Sequence, residues 1–335
     1  MTHMAGLKDI ALAAGVSVDT VSRVLNGKGG ESWPSAIKRA ERIRQIATQL
    51  NYTPNKAARI MRTKKTHQIG VLVSELYNPF TGRKVEAIAD SLARRGYEML
   101  LGLTRSSAVN PADFFEKFSH NLLDGVINLD PLLDTADLRR ICPQIPCLTF
   151  NRSQAESPVV FDVRAAVHLL MDHLWSLGHR RIAIVTGFDK GDATRSRVGA
   201  YESFYAERSS GMKRDWIIPA NWTAEEGQSA AAALAATDCT ACVAGNDLLA
   251  VGLIAGLRVQ HKEVPGDFSI VSIEDSLLTE IAYPTLTSAR QPIAELVDLT
   301  VAALIARVEG TEDVPFQVLQ PALMIRNSSA APREG

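Results

Sequence analysis

Val18, Asp19, Ser22, Arg23 and Asn26 stand at spacings that place them on one face of a short helix. Short polar groups with a single guanidinium suit the donors and acceptors that base edges offer in a major groove. Arg23 can pair with a guanine edge. Asp19 can accept only from cytosine or adenine amino groups and is repelled by phosphate, so it either accepts there or excludes competing sites.

Two short helices joined by a glycine turn, from Leu7 to Asn26, must position this face. Gly15 sits just past the first helix, where positive φ ends a helix without steric cost. Ser17 follows as the N-cap of a second helix from about Val18, with Asp19 in its positive first turn. Val21, Val24 and Leu25 then face a core shared with Ile10, Ala11 and Ala14. An ordinary hairpin of core helices would not need this cap, turn and exposed face together. The pattern reads as a helix-turn-helix.

Charge agrees. Residues 1–65 hold 6 Lys and 6 Arg against 2 Asp and 2 Glu, a net of +8. The whole chain of 335 residues has 36 basic and 37 acidic residues, so the remainder carries −9 (−1 minus +8). A basic head on an acidic body is the asymmetry of a nucleic-acid-binding module joined to a soluble domain. A third helix after Ser32-Trp-Pro-Ser35 runs to about Leu50. Its Ala40, Ile43, Ala47 and Leu50 would close the head, leaving Lys38, Arg39, Arg42 and Arg44 toward solvent or phosphate. Tyr52 to Arg62 is a short helical pattern, marginal alone in water. It is either a plain linker or a hinge that orders on DNA, with small Ala57 and Ala58 beside Met61 as an apolar minor-groove wedge.

From Gln68 the texture changes to apolar runs alternating with helical stretches. Ile69–Val73, Glu98–Leu103, Gly125–Asn128 and Cys147–Phe150 form one series of predicted strands, with a helix such as Thr81–Arg95 between them. Ile182–Thr186, Trp216–Ile218, Ala241–Ala244 and Ser269–Ser272 form a second. Helices are predicted at Ala166–Leu177, Ser196–Arg208, Thr223–Ala236, Leu248–Arg258 and Ile293–Val308, followed by a strand at Phe316–Leu319. Two α/β lobes with parallel sheets follow, and the cleft at their strand ends is the expected ligand site.

Other functions fit less well. A transport protein that binds sugars would explain the body but would need an export signal and no basic head. The N-terminus lacks an apolar run, and there is no membrane span, which points to a cytoplasmic protein. No Gly-rich phosphate loop follows a strand in the form a Rossmann enzyme needs, and no nucleophile stands with His and acid partners. The four cysteines, Cys142, Cys147, Cys239 and Cys242, are too few and scattered for a disulfide framework, and Cys239-Thr-Ala-Cys242 reads as buried structure. His179 is read as capping a helix end. No metal, cofactor or catalytic residue is expected.

The chain resembles the lactose-repressor/galactose-repressor (LacI/GalR) family of bacterial transcription regulators over essentially its whole length. Gly15-Val-Ser-Val-Asp-Thr-Val-Ser-Arg-Val-Leu-Asn-Gly27 is the most specific match. Leu50-Asn-Tyr-Thr-Pro-Asn55, Ile69-Gly-Val with Asn78-Pro-Phe80, Leu177-Gly-His-Arg-Arg-Ile182, Gly245-Asn-Asp247 with Ala250-Val-Gly252, and Pro284-Thr-Leu-Thr287 follow in order. The resemblance implies an all-α helix-turn-helix head at 1–54, a hinge helix and linker at 55–67, and a periplasmic-binding-protein-like (type I) two-lobed body at 68–335. It further implies a homodimer on a near-palindromic operator, with a small effector, a sugar or sugar derivative, in the cleft. The tail after Asn327 lacks the leucine heptads of a helical tetramerisation segment.

By position, Leu7, Ser17, Val18, Asp19, Ser22, Arg23 and Asn26 match the family's DNA-contacting face, with Val18, Asp19 and Arg23 at its specificity positions. Tyr52, Asn55 and Ala58 match backbone and hinge contacts. Met61 replaces the usual minor-groove leucine, and the loop from Gly27 to Ser35 is about four residues longer than usual. In the cleft the matching positions are Asn78, Phe80, Asn151, Phe161, Arg197, Trp222, Asn246, Glu274 and Gln291. Their chemistry is that of a polyol site, with charged groups clamping hydroxyls, amides supplying donor and acceptor, and aromatic faces covering a ring. Each has a structural alternative, such as Asn246 capping a helix or Trp222 packing between helices. Glu274 exceeds the family's usual aspartate by one methylene, about 1.5 Å.

Overall fold

The computed structural model describes residues 5–25, 33–52, 65–104, 122–131, 133, 135–150, 157–187, 192–311 and 314–333. It divides into two compact units, Met1–Lys65 and Thr66–Gly335.

In the first unit, α1 (Leu7–Ala14), α2 (Val18–Leu25) and α3 (Pro34–Gln49) enclose Ile10, Ala11, Val21, Val24, Ala40, Ile43 and Ala47. Gly15 is left-handed at φ 66°, and the amides of Gly15 and Val16 reach back to Leu12 and Ala11 carbonyls at 3.3 and 3.1 Å. Carbonyls left open at the end of α1 are satisfied within the turn. Leu50, expected in this core, is an exposed residue past the end of α3. Ile46 and Tyr52 pack against the core from that end instead. Asn26, Asn55, Ala58, Met61, most of the loop from Gly27 to Ser35 and most of the expected hinge lie outside the described residues.

The second unit contains two lobes. In the first, β1 (Gln68–Val73), β2 (Glu98–Leu103), β3 (Gly125–Asn128) and β4 (Cys147–Thr149) form a parallel sheet in the order β2-β1-β3-β4. Helix α4 (Pro79–Arg94) joins β1 to β2, and α5 (Thr135–Ile141) precedes β4. Next come β5 (Val159–Phe161) and α6 (Val163–Ser176), and then β6 (Ile182–Thr186), α7 (Asp192–Glu207), β7 (Ile217–Pro219) and α8 (Ala224–Ala235). The second lobe continues with β8 (Ala241–Ala244), α9 (Asp247–Val259), β9 (Ser269–Glu274), the short α10 (Leu278–Ile281) and β10 (Thr287–Arg290). Then come α11 (Ile293–Glu309), β11 (Gln317–Leu319) and β12 (Ala322–Met324). The second sheet runs β12-β10-β9-β8-β6-β7, parallel except where β12 pairs antiparallel with β10.

The chain crosses between lobes more than once. β5 and β11 pair with each other as a parallel two-stranded ribbon. Helix α11 returns to the first lobe and packs on α4. Asp298 of α11 receives both guanidinium nitrogens of Arg95, at 2.8 and 2.9 Å, together with Ser91 at 2.8 Å and Arg94 at 2.9 Å. These bonds, Arg95 first, hold the Asp298 carboxyl well below the usual carboxylate range.

Two local readings change. Trp216, expected in a strand, sits in a one-turn helix before β7, buried, with its indole N–H donating to Asp238 at 2.9 Å. His179 does not cap with its side chain. Its backbone amide closes the α6 end on Leu174 at 3.1 Å, while its ring bonds Thr240 at 2.7 Å and Ala330 at 2.8 Å, anchoring the C-terminal tail.

Candidate functional site

Ser17 opens α2 as expected. Its hydroxyl accepts the Thr20 amide at 3.2 Å and shares a hydrogen bond with the Thr20 hydroxyl at 2.8 Å. Val18, Asp19 and Arg23 are exposed, whereas Ser22 is half-buried. Asp19 and Arg23, one turn apart, form an ion pair of 2.8 Å. Two side chains read separately in the sequence are thus one unit before any partner arrives. Leu7 is half-buried against the head core, and the Asp9 carboxylate accepts the Gly6 amide at 2.7 Å at the start of α1.

The cleft site starts from the helices and strand ends around it. Asn246 caps α9, accepting the Leu249 amide at 2.8 Å, and its own amide donates to the Trp222 carbonyl at 3.2 Å. Trp222 lies over backbone that only glycine permits. A Cβ added at Gly187 or Gly245 would meet its ring at 2.7 or 2.8 Å. The buried Arg197 of α7 stacks on the same ring, 5.0 Å from its centroid, and donates to the Gly245 and Ala193 carbonyls at 2.9 and 3.0 Å. Arginine, indole and capping amide are therefore mutually fixed.

Glu274 ends β9 in an unusual conformation, with φ 118°, followed by Asp275 at φ 58°. Such backbone costs energy and persists only where its surroundings over-determine it. Here Asp247 accepts the Ser276 amide at 2.6 Å and the Ser272 hydroxyl at 2.7 Å. Asp275 is gripped by Arg290 at 2.6 Å and Arg326 at 2.8 Å. The clamped turn leaves Glu274 buried, its Oε2 without a hydrogen-bond partner among the described residues. Burial, with Asp247 nearby, pushes this carboxyl up to about 8, while Lys84 and Arg197 pull the other way. The Gln291 amide donates to the Glu274 carbonyl at 3.4 Å.

From the first lobe, Asn78 caps α4 by accepting the Phe80 amide at 2.9 Å. Phe80 is buried, and the Lys84 ammonium lies 4.7 Å over its ring and 6.0 Å from that of Phe150. Burial pulls Lys84 below the ordinary lysine range, against the charges of Glu274 and Glu75. Burial likewise raises Glu75, whose Oε2 also lacks a partner among the described residues. The lobes meet directly where the Arg83 guanidinium donates to the Asp275 carbonyl at 3.3 Å. Phe161 is buried in β5 opposite Leu319, and Asn151 lies outside the described residues.

Lys84 and Glu75 are missing from the sequence-derived set. Two signals pointed to them. Glu75 follows the carboxyl end of β1, where open α/β sheets bind ligands, and Lys84 is one helical turn beyond Phe80 on the same face.

The profile described as bacterial regulatory proteins, lacI family, matches residues 6–55, and that of a periplasmic binding protein-like domain matches residues 171–329. The HTH-type transcriptional regulator reg1 of Streptomyces lividans is 31% identical, over 97% of this chain and 96% of its own. This chain belongs to the LacI family. Among solved structures, the lac repressor dimer bound to operator and an anti-inducer superposes with a TM-score of 0.81 at 25% identity, covering 98% of this chain and 100% of that one. A transcriptional regulator CelR–cellobiose complex superposes at 0.70 and 26% identity, covering 97% and 100%. The LacI-family chain is a DNA-binding transcriptional regulator with a two-lobed α/β body. Among its described residues no helix is long and apolar enough to cross a membrane.

Proposed function

We propose that this LacI-family regulator represses transcription as a cytoplasmic homodimer on a near-palindromic operator, with affinity set by a sugar or sugar derivative bound between its lobes. Residues 1–54 read DNA, residues 55–67 form the hinge, and residues 68–335 bind effector and dimerise. Val18, Asp19 and Arg23 contact bases, with Leu7, Ser17, Ser22, Asn26, Tyr52 and Asn55 on the surrounding DNA and Ala58 and Met61 at the hinge. Asn78, Phe80, Asn151, Phe161, Arg197, Trp222, Asn246, Glu274 and Gln291 line the effector site, joined by Lys84 and Glu75. Its work is regulation and not catalysis.

One observation carries the effector reading. Two buried carboxyl oxygens, Glu75 Oε2 from the first lobe and Glu274 Oε2 from the second, lack hydrogen-bond partners among the described residues. A buried polar atom left unpaired costs free energy that ligand hydroxyls, which both donate and accept, would recover. The aromatic faces of Phe80 and Trp222 add cover for the apolar side of a sugar ring. The cellobiose held by the superposable regulator supports the same class of ligand.

The mechanism is linkage. An effector with different affinities for two interlobe arrangements shifts their populations, and operator affinity shifts reciprocally. Operator DNA, selected from genomic fragments, is titrated with and without mono- and disaccharides that bind the protein. A change in operator affinity with a bound sugar is expected, its sign distinguishing induction from co-repression. Unchanged DNA affinity with every bound sugar sinks the coupling, and no DNA binding at low salt sinks the regulator reading.

A further inference from the structure

Cys142 and Cys147 take part in neither site. Cys142 follows α5, Cys147 opens β4, and the connection Pro143-Gln-Ile-Pro146 has proline at each end. Proline removes backbone freedom, so the two cysteines are brought together with little chain entropy left to lose. Their sulfurs lie 3.4 Å apart. A disulfide requires about 2.05 Å, so closure asks for a shift of roughly 1.3 Å along a contact already made.

The two thiols are not equivalent. Cys142 is buried and Cys147 half-buried. The hydrogen bond from Cys147 draws Cys142 below the ordinary thiol range, while the same bond and then burial push Cys147 up. The Cys142 thiol also donates to the Leu138 carbonyl at 3.0 Å, so its attack follows loss of that proton. A more acidic thiol beside a less acidic one is the arrangement in which one sulfur attacks an oxidant and the other resolves the product. Cys239 and Cys242 supply the internal contrast. They are closer in sequence, but burial pushes Cys239 up to about 12 and Cys242 likewise upward.

We propose that Cys142 and Cys147 form a covalent modification site that closes into an intramolecular disulfide on reaction with hydrogen peroxide. Cys142 Sγ loses its proton and attacks one peroxide oxygen, the O–O bond breaks, and the leaving hydroxide takes up that proton as water, giving a sulfenic acid. Cys147 Sγ then attacks that sulfur, and its proton departs with the hydroxyl as water. Two thiols and one peroxide become one disulfide and two waters, sulfur being oxidised and peroxide reduced. A small oxidant suits a cysteine that is only 4% exposed. The bond would form at the start of β4, whose C-terminal neighbour Phe150 stands beside Lys84 in the cleft.

Trypsin places both cysteines in one peptide, Ile141–Arg152. After peroxide treatment of the full-length protein, mass spectrometry should find this peptide two hydrogens lighter, with Cys239 and Cys242 still alkylatable and dithiothreitol reversing the change. Formation should be at least about tenfold faster in the folded chain than in urea. Cys147→Ser should stall at a Cys142 sulfenic acid that dimedone traps. Cys142→Ser should leave the Cys147 thiol intact. Equal rates in folded and unfolded chains, prior oxidation of Cys239 or Cys242, or oxidation of Cys147 in the Cys142→Ser protein would each overturn the proposal. The wild-type rates decide even if a variant fails to fold.

Discussion

The proposed reading face of the head and the proposed effector cleft of the body both carry charged side chains but treat them in opposite ways. On α2 the charges are exposed and Asp19 and Arg23 neutralise each other at 2.8 Å. Exposed pairs of this kind contribute little to stability. In the cleft, Glu274 and Arg197 are buried, and the Glu274 Oε2 is without a hydrogen-bond partner among the described residues. Burial there carries a desolvation cost that a ligand can relieve. The head should therefore tolerate substitution without losing stability, whereas the cleft should couple binding and stability.

The largest effect that can break this contrast is expected from Arg197→Ala. It removes a cation near Glu274 and a ring partner of Trp222, so sugar affinity measured by calorimetry should fall more than about 100-fold. Operator affinity without sugar should change little. An equal loss of both would show that Arg197 serves the whole body and not its cleft.

Arg23→Ala comes next. Fluorescence anisotropy should show a loss of about 10–100-fold for operator DNA, a much smaller loss for random duplex, and no change in melting temperature. A uniform loss across sequences would make Arg23 a phosphate contact.

Glu274→Gln sharpens the stability side. With a carboxyl raised to about 8 against an ordinary 4.5, the folded protein holds a proton that the unfolded chain releases between those values. Wild-type stability should fall as pH rises through that window, and the glutamine variant should escape that part of the fall. Its melting temperature relative to wild type should be roughly 5–10 °C higher at pH 8 than at pH 5. The same substitution should weaken sugar binding.

Asp298→Asn should have the smallest effect. A depressed folded pKa contributes stability present above the ordinary 3.8 and lost as pH falls toward the folded value. Because its side chain is 44% exposed, solvent screening should hold the neutral-pH loss to about 1–2 °C. Thermal melts should show the difference fading in acid.

The head was almost fully legible because its signals are local: a cap, a turn and apolar spacing within Leu7–Leu25. Leu50 misled because helical spacing does not reveal where α3 stops covering the core. In the body, buried, mainly apolar strands such as β1, β3 and β8 were plain, whereas β10, Thr-Ser-Ala-Arg, is mostly polar, and the helices were mostly placed to within a few residues. β5, β10 and β12 were missed because each is short and defined by a partner distant in sequence. The cleft was half legible. Arg197, Trp222, Asn246 and Glu274 do come together, but the sequence marks Lys84 only by its place one turn beyond Phe80. Only the meeting of two lobes sets its charge against Glu274. The left-handed backbone at Glu274 was also invisible, since glutamate gives no local sign of positive φ.

The Asp19–Arg23 pair also bears on how fast a target is found. If Arg23 reads bases as proposed, its guanidinium would keep its own carboxylate as partner on unrelated duplex, and a guanine at the right step would have to replace it. Because an exposed pair is weak, Asp19→Ala should lengthen stays on incorrect sequences only modestly in single-molecule tracking, even where affinity for the correct one is unchanged.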